Sequence, residues 1–139
     1  GLVYVVYLSG TWSSARAGAL SRRYGRGVVV MASAAMMLLG ALAVAASSLW
    51  IAFAGLLTFT ASFFALHSTA SGRVGLIAER DRAEASSMYV PCYYMGSSIL
   101  GAATGWAYEG LPWAGFVAVL AALLGALALV AAALWKGAR

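Results

Sequence analysis

One histidine and a group of tyrosines are the side chains best suited to chemistry inside the long uncharged segments of this sequence. His67 is the only histidine, and imidazole is the side chain whose charge changes nearest to neutral pH. Tyr89 and Tyr93 each combine an apolar ring with one hydrogen-bonding group. On helices, Thr60 falls on the face of His67, and Ser97 on the face of the two tyrosines. These residues are candidates for contacts with a substrate or a proton in a wet cavity, or alternatively for hydrogen bonds between packed helices.

Enzymatic chemistry has little support. A nucleophile–base pair or a metal site needs suitably spaced histidine, aspartate and glutamate side chains, but none of the four acidic residues lies within an uncharged run. Ser68 adjoins His67, yet neighbours on a helix point about 100° apart, so the two do not form a dyad. Cys92 is the only cysteine, which excludes an intramolecular disulfide. The sequence therefore predicts no catalytic residues, no metal site and no cofactor.

The segments that position these side chains are long enough to cross a membrane. Complete uncharged runs cover residues 28–48, 49–72, 85–108 and 112–135, and an incomplete run covers about 1–16. Crossing about 30 Å of hydrocarbon takes roughly 20 helical residues. The chain is 63% hydrophobic and 9% charged, which is too apolar for a soluble bundle, where about a quarter of residues are charged. We therefore expect an all-α membrane protein, a polytopic transmembrane helical bundle in contact with the lipid bilayer.

Alternate threading of these runs places all basic side chains on one side of the membrane. That side receives Arg16, Arg22, Arg23, Arg26, Arg73, Arg80, Arg82, Lys136 and Arg139, whereas the other receives Glu109 and no Lys or Arg. Because basic loops stay in the cytoplasm, loops 16–27 and 73–84 and the carboxy terminus are predicted to be cytoplasmic. The net charge of +5 then reflects topology, and no nucleic-acid partner is expected.

Polarity divides the spans into two kinds. The runs at 28–48 and 112–135 are apolar all round and are expected to be peripheral, whereas the others carry stripes of polar and small residues. In the run at 85–108, Gly96 shares a face with the tyrosines, and Gly101 and Gly105 have GxxxG spacing on a second face. These glycines are predicted to let other helices approach closely. The remaining face, with Cys92, is assigned to lipid.

The first basic loop contains a recognisable motif, Gly18-Ala-Leu-Ser-Arg-Arg-Tyr-Gly-Arg26. It resembles the loop signature G-x-L-(A/S)-D-R-x-G-R-(R/K) of the major facilitator superfamily, which recurs between the second and third helices of each six-helix half. The matching positions are Gly18, Leu20, Ser21, Arg23, Gly25 and Arg26, whereas Arg22 occupies the position of the motif's aspartate. In that family the loop is implied to latch neighbouring helices, and this copy lacks the carboxylate.

The resemblance implies a transporter fold and a transport function. Because the second-half copy of the motif is commonly the degenerate one, the chain is interpreted as helices eight to twelve, part of the second six-helix half of a twelve-helix transporter. Segments 63–71, 85–89 and 93–96 also look like the bacterial drug and metabolite efflux branch. The implied function is secondary active efflux of a small molecule across the bacterial inner membrane by alternating access. The implied partners are a missing amino-terminal half and protons as the candidate coupling ion.

A non-transporting role is the alternative that the residues leave open. Gly1 begins inside an apolar run, which favours a piece of a longer protein over a naturally small subunit. A complete small subunit of this kind would instead be a membrane scaffold or assembly component, because transmembrane helices alone do not specify transport.

Overall fold

Helices account for nearly all of the protein in its computed structural model, which describes residues 2–78 and 80–136. The helices are α1 (Leu2–Tyr24), α2 (Arg26–Val44), α3 (Leu49–Ile77), α4 (Arg82–Gly110) and α5 (Trp113–Lys136), and no strand occurs among the described residues. The expected all-α fold is confirmed. Gly1, Glu79 and Arg139 lie outside the described residues, as do the side chains of Trp135 and Lys136.

Three of the described helices are long and apolar enough to cross a membrane by length and composition. They are α2, α3 and the Trp113–Leu134 part of α5. The helix α4 is as long as α3, at 29 residues, but its polar side chains make it less apolar. The chain is therefore a multi-pass membrane protein, and the membrane-spanning role of α1 and α4 remains a prediction from the sequence.

The helices extend further into the basic segments than the uncharged runs do. The segment 16–27, predicted to be a loop, is helical except at Gly25, and the segment 73–84 is helical up to Ile77 and again from Arg82. Leaving the hydrocarbon does not end a helix, because Ala and Arg have high helix propensity. In the run at 28–48 the helix is instead shorter than the uncharged run, since α2 ends at Val44 and a short turn precedes α3.

The chain reverses between α1 and α2 at a single glycine. Gly25 has φ 86° and ψ 143°, a backbone conformation that a residue with a Cβ atom rarely adopts. Its amide donates a hydrogen bond to the carbonyl of Ser21 at 3.1 Å. Arg22 and Arg23 lie in the last turn of α1, where a positive charge interacts favourably with the helix dipole.

The helix α3 lies at the centre of the bundle and packs against α1 and α2, while α4 makes fewer contacts with it. Its buried side chains are small, with Ser62, Ala65 and Thr69 each less than a tenth exposed. The Ser13 hydroxyl of α1 donates a hydrogen bond to the carbonyl of Ala61 at 2.6 Å. Small residues thus bring the backbones close together, as the small-residue stripe of this run predicts.

A direct contact between the backbones of α2 and α3 was not evident from the sequence. At the crossing of α2 and α3, a Cβ atom built on Gly40 would lie 2.8 Å from the carbonyl oxygen of Gly55. A Cβ atom built on Gly55 would lie 2.7 Å from the carbonyl oxygen of Gly40. Real Cβ atoms do not approach other atoms this closely, so the two glycines allow direct contact between the helix backbones.

Two expectations about helix position stay predictions. The helix α2, expected to be peripheral, contains more buried residues than any other described helix, because it packs against α3 and α5, and its place in a complete bundle depends on helices outside this chain. Conversely, α4 has no buried residue among those described, and nothing lies within 4 Å of a Cβ atom built on Gly96, Gly101 or Gly105. Packing at these glycines is therefore not found within the described chain, and it stays a prediction about a helix outside it.

Candidate functional site

The histidine and two of the tyrosines singled out in the sequence lie together between α3 and α4. The Oη atom of Tyr89 is 3.0 Å from Nδ1 of His67, within hydrogen-bond distance. The ring of Tyr93 is centred 4.6 Å from the imidazole, and the rings of Tyr89 and Tyr93 are stacked with their centroids 6.5 Å apart. All three side chains are half-buried. We call this group the His67 cluster.

The cluster continues into a longer row of aromatic rings that crosses three helices. From α1 through α3 to α4, the row consists of Tyr7, Phe64, Phe63, His67, Tyr93 and Tyr94. Successive ring centroids are 6.2, 5.6, 5.8, 4.6 and 5.3 Å apart, which is the range of interacting aromatic pairs. The two rings at the ends of the row are exposed: Tyr7 is 61% and Tyr94 is 64% exposed. We call this set the aromatic row.

The phenylalanines of this row and Tyr7 are not predicted from the sequence to be parts of one site. Phe63 is stacked on the imidazole of His67, and Phe64 contacts the ring of Tyr7 edge-on. Apolar rings are abundant in a membrane chain, so their identity alone gives no functional signal. The usable signal was their position, because Phe63 and His67 are separated by one helical turn.

The other two candidates lie near the cluster but do not join it. Thr60 is half-buried on α3, about two turns before His67, and Ser97 is exposed on α4, about one turn after Tyr93. No hydrogen bond of either side chain is found within residues 2–78 and 80–136. Their role in a pathway stays a prediction.

The chemistry available to the His67 cluster is hydrogen bonding, ring contact and proton exchange. In the tautomer with hydrogen on Nε2, the Tyr89 hydroxyl donates to Nδ1, so Nε2–H remains to meet a bound molecule. In the described part of the chain, no group of histidine, cysteine and acidic residues is placed to hold a metal ion. The same contacts also pack α4 against α3, so the cluster has a structural role whether or not it binds a substrate.

The residues of the loop motif lie at the basic end of the bundle, away from the aromatic row in sequence. Gly18 and Leu20 are exposed near the end of α1, and no other helix approaches Gly18 within the described residues. The guanidinium of Arg23 lies over the ring of Tyr24, 5.1 Å from its centroid. Arg26 begins α2. The geometry shows a tight turn rich in positive charge, and a latch to another helix remains a prediction.

Comparison with known proteins adds the evidence that the geometry alone lacks. Over 124 residues the chain is 46% identical to the inner membrane transport protein YnfM of Escherichia coli. Over 122 residues it is 34% identical to YybF of Bacillus subtilis, which is named an uncharacterized MFS-type transporter. The chain belongs to the major facilitator superfamily. An uncharacterized transporter of Buchnera aphidicola (strain Sg) is 35% identical over 124 residues.

Each of these alignments covers most of the chain and a minor part of the relative. They include 88–89% of this chain and 30% of the length of each of the three transporters. No model of a protein family and no solved structure matches the chain. Membership of the superfamily therefore rests on sequence similarity to named transporters, together with the helical fold.

Proposed function

We propose that this chain forms helices eight to twelve of a secondary transporter that exports a small molecule from the bacterial cytoplasm by alternating access. The aromatic row is the observation that carries the proposal. It presents rings from α1, α3 and α4 on a surface that the described helices leave partly open. In transporters built from two halves, substrate sites lie near the bilayer midplane between those halves. An amino-terminal half would cover this surface and complete the site.

The aromatic row favours a substrate with a flat apolar part and a hydrogen-bonding group. Phe63 and Tyr93 supply ring faces on either side of His67, and the imidazole supplies the polar contact. The acidic residues that the structure describes, Asp81, Glu84 and Glu109, all lie at the ends of α4 and do not join the aromatic row. A carboxylate for binding cations or relaying protons would have to come from the other half.

The orientation follows from the basic residues and can be tested by labelling. In a background with Cys92→Ala, a single cysteine at Arg26 or Arg80 should react with an impermeant thiol reagent only from the cytoplasmic side. A cysteine at Glu109, at the far end of α4, should react only from outside. The measurement is labelling of intact cells against inside-out vesicles. Labelling of positions 26 and 109 from the same side would contradict the proposed span count.

Efflux and proton coupling can be tested in inside-out vesicles that contain the protein from its complete reading frame. With a proton gradient established by respiration, a transported compound should partly collapse the gradient, as reported by a pH-sensitive dye. A panel of planar aromatic compounds is the appropriate first choice because of the aromatic row. Vesicles containing the His67→Phe variant, which keeps a ring but loses the hydrogen bond to Tyr89, serve as the matched control.

The vesicle assay also distinguishes transport from the alternative of a scaffold. A scaffold would give no compound-dependent proton movement and no difference between wild type and His67→Phe. Transport is the favoured function, because the relatives that the chain matches are named as transporters.

A further inference from the structure

Two cavities meet at the basic end of the bundle, and one of them borders Tyr89 of the His67 cluster. The first, here the polar cavity, has a volume of about 610 Å³ and lies between α1, α3 and the start of α2. The second, here the apolar cavity, has a volume of about 300 Å³ and lies between α2, α3, α4 and α5. Arg26 and Thr69 line both cavities, so the two are adjacent.

The polar cavity has the features of an anion site. It is lined by Ser14, Ser21, Ser68 and Thr69 and by the basic residues Arg22 and Arg26. Thr69 is only 7% exposed, yet its hydroxyl and that of Ser21 form no hydrogen bond with the described protein. A buried polar group without a partner is costly, so a hydrogen-bond acceptor bound in the adjoining cavity would stabilise either hydroxyl once its side chain turns towards it.

The first turn of α2 adds further donors at the same place. Gly25, which precedes the helix, has no side chain to cap it. Arg26 lines both cavities, and Gly27 lines the apolar one. The amides at the start of a helix have no partner within the helix and favour a negatively charged group. Among the described residues that line the two cavities, none has a carboxylate.

The apolar cavity has the features of a site for a hydrocarbon chain. Its walls include Leu66 and Val74 from α3 and Leu127, Val130 and Leu134 from α5. Arg73 and Arg26 are the charged groups of this lining. Arginines at the end of an apolar cleft between transmembrane helices match the headgroup of an anionic lipid whose chain enters the cleft.

We propose that these cavities form one binding site for an anionic phospholipid of the membrane leaflet on the basic side. Its phosphate lies between Arg26, Arg73 and the hydroxyl of Thr69, near the start of α2. One acyl chain occupies the apolar cavity between α3 and α5. The bound lipid fills the gap between these two helices and gives the buried Thr69 hydroxyl an acceptor, so it stabilises the fold. The proposal is independent of the substrate and of the direction of transport.

Thermal unfolding of the complete protein in detergent tests the proposal. Phosphatidylglycerol should raise the midpoint temperature in a saturable manner. Phosphatidylcholine with the same acyl chains should have little effect, because its headgroup has no net charge. Glycerol 3-phosphate, which has the phosphate without the chain, should also have little effect. Equal stabilisation by the two lipids would overturn the proposal, and so would full stabilisation by glycerol 3-phosphate, which would indicate a site for free phosphate esters.

Paired variants separate binding from folding. Arg73→Gln and Thr69→Val should each raise the phosphatidylglycerol concentration for half-maximal stabilisation, by about tenfold for the arginine, whose hydrogen bonds to phosphate are charge-assisted. Arg82→Gln is the matched control, because Arg82 is an exposed basic residue on the same side that lines neither cavity. If Arg73→Gln and Arg82→Gln responded alike to phosphatidylglycerol, the site would be wrong.

A second pair of variants tests whether the apolar cavity binds an acyl chain, without changing the charge of the protein. Ala131 lines the apolar cavity, so Ala131→Phe should occupy the space and abolish stabilisation by phosphatidylglycerol while leaving the lipid-free protein folded. Ala133 is exposed on the same helix and does not line the cavity, so Ala133→Phe should respond like wild type. A helix or a second copy in the cleft, rather than a lipid, would make all these variants insensitive to added phosphatidylglycerol and would overturn the proposal.

Discussion

Replacement of Tyr93 by alanine should lower transport per molecule by about tenfold. The change removes the ring nearest to the His67 imidazole, and with it roughly 1–1.5 kcal/mol of aromatic interaction energy at the proposed substrate site. The contacts of Tyr93 in the described structure are made through its ring, with His67, Tyr89 and Tyr94. The residue is only half-buried, so the complete protein should still reach the membrane at nearly normal abundance. The measurement is compound efflux from cells, divided by the amount of protein in the membrane.

Two matched variants define what the tyrosine does. Tyr93→Phe keeps the ring contacts and should retain most of the transport, whereas Cys92→Ala should have little effect, because the Cys92 side chain is exposed on the face assigned to lipid. If Tyr93→Ala and wild type had equal normalised efflux, Tyr93 would not belong to the substrate site. The His67 cluster would then serve only to pack α4 against α3.

Replacement of Gly55 by leucine should greatly reduce the amount of folded protein, with little effect on the activity of any molecules that fold. A Cβ atom at this position would lie 2.8 Å from the Ala43 Cβ atom and 2.9 Å from the Val44 amide nitrogen of α2. The helices would have to separate, and overpacking of this kind costs about 1–3 kcal/mol or more. Abundance in the membrane and the midpoint temperature of the purified protein are the measurements.

Two other glycines show whether the effect is specific to the crossing of α2 and α3. Nothing lies within 4 Å of a Cβ atom built on Gly125, in the middle of α5, so Gly125→Leu should leave abundance near that of wild type. Nothing in the described chain lies within 4 Å of a Cβ atom built on Gly101 either. The variant Gly101→Leu therefore tests packing against a helix outside this chain. It should lower abundance only if a helix outside this chain packs there, as its GxxxG spacing predicts. Similar loss of abundance in Gly55→Leu and Gly125→Leu would remove the special role of the crossing.

Periodicity and charge predict much of this fold from the sequence. Uncharged runs of about 20 residues locate the helices because lipid leaves the backbone no partners outside its own helix. The glycine of the loop motif, Gly25, has the positive φ that a sharp reversal requires. The sequence does not predict that His67 lies beside Tyr89 and Tyr93. It places each residue on a face of its own helix, but which faces pack together depends on the tertiary structure.

The parts that could not be predicted depend on which helices become neighbours. Gly40 and Gly55 lie in apolar runs where a glycine has no obvious role until the two helices are seen to cross there. The burial of Ser33 and Ala34 in α2 was not predicted either, because an almost wholly apolar helix gives no pattern that shows which face packs against a neighbour. The apolar cavity near Arg26 likewise results from the gap between α3 and α5, which no single segment encodes.

Water access along α3 and α4 tests most directly whether the face of the His67 cluster lines a transport pathway. In the complete protein with Cys92→Ala, single cysteines are placed at Thr60 and Ser97, on the proposed pathway face, and at Met95 and Ile99, which are exposed on the opposite side of α4. A charged thiol-specific reagent reacts with thiolates, which form in water and not in hydrocarbon. Cysteines at positions 60 and 97 should be modified, and those at 95 and 99 should not. Equal reactivity of all four positions, or preferential reaction at 95 and 99, would contradict a pathway along this face.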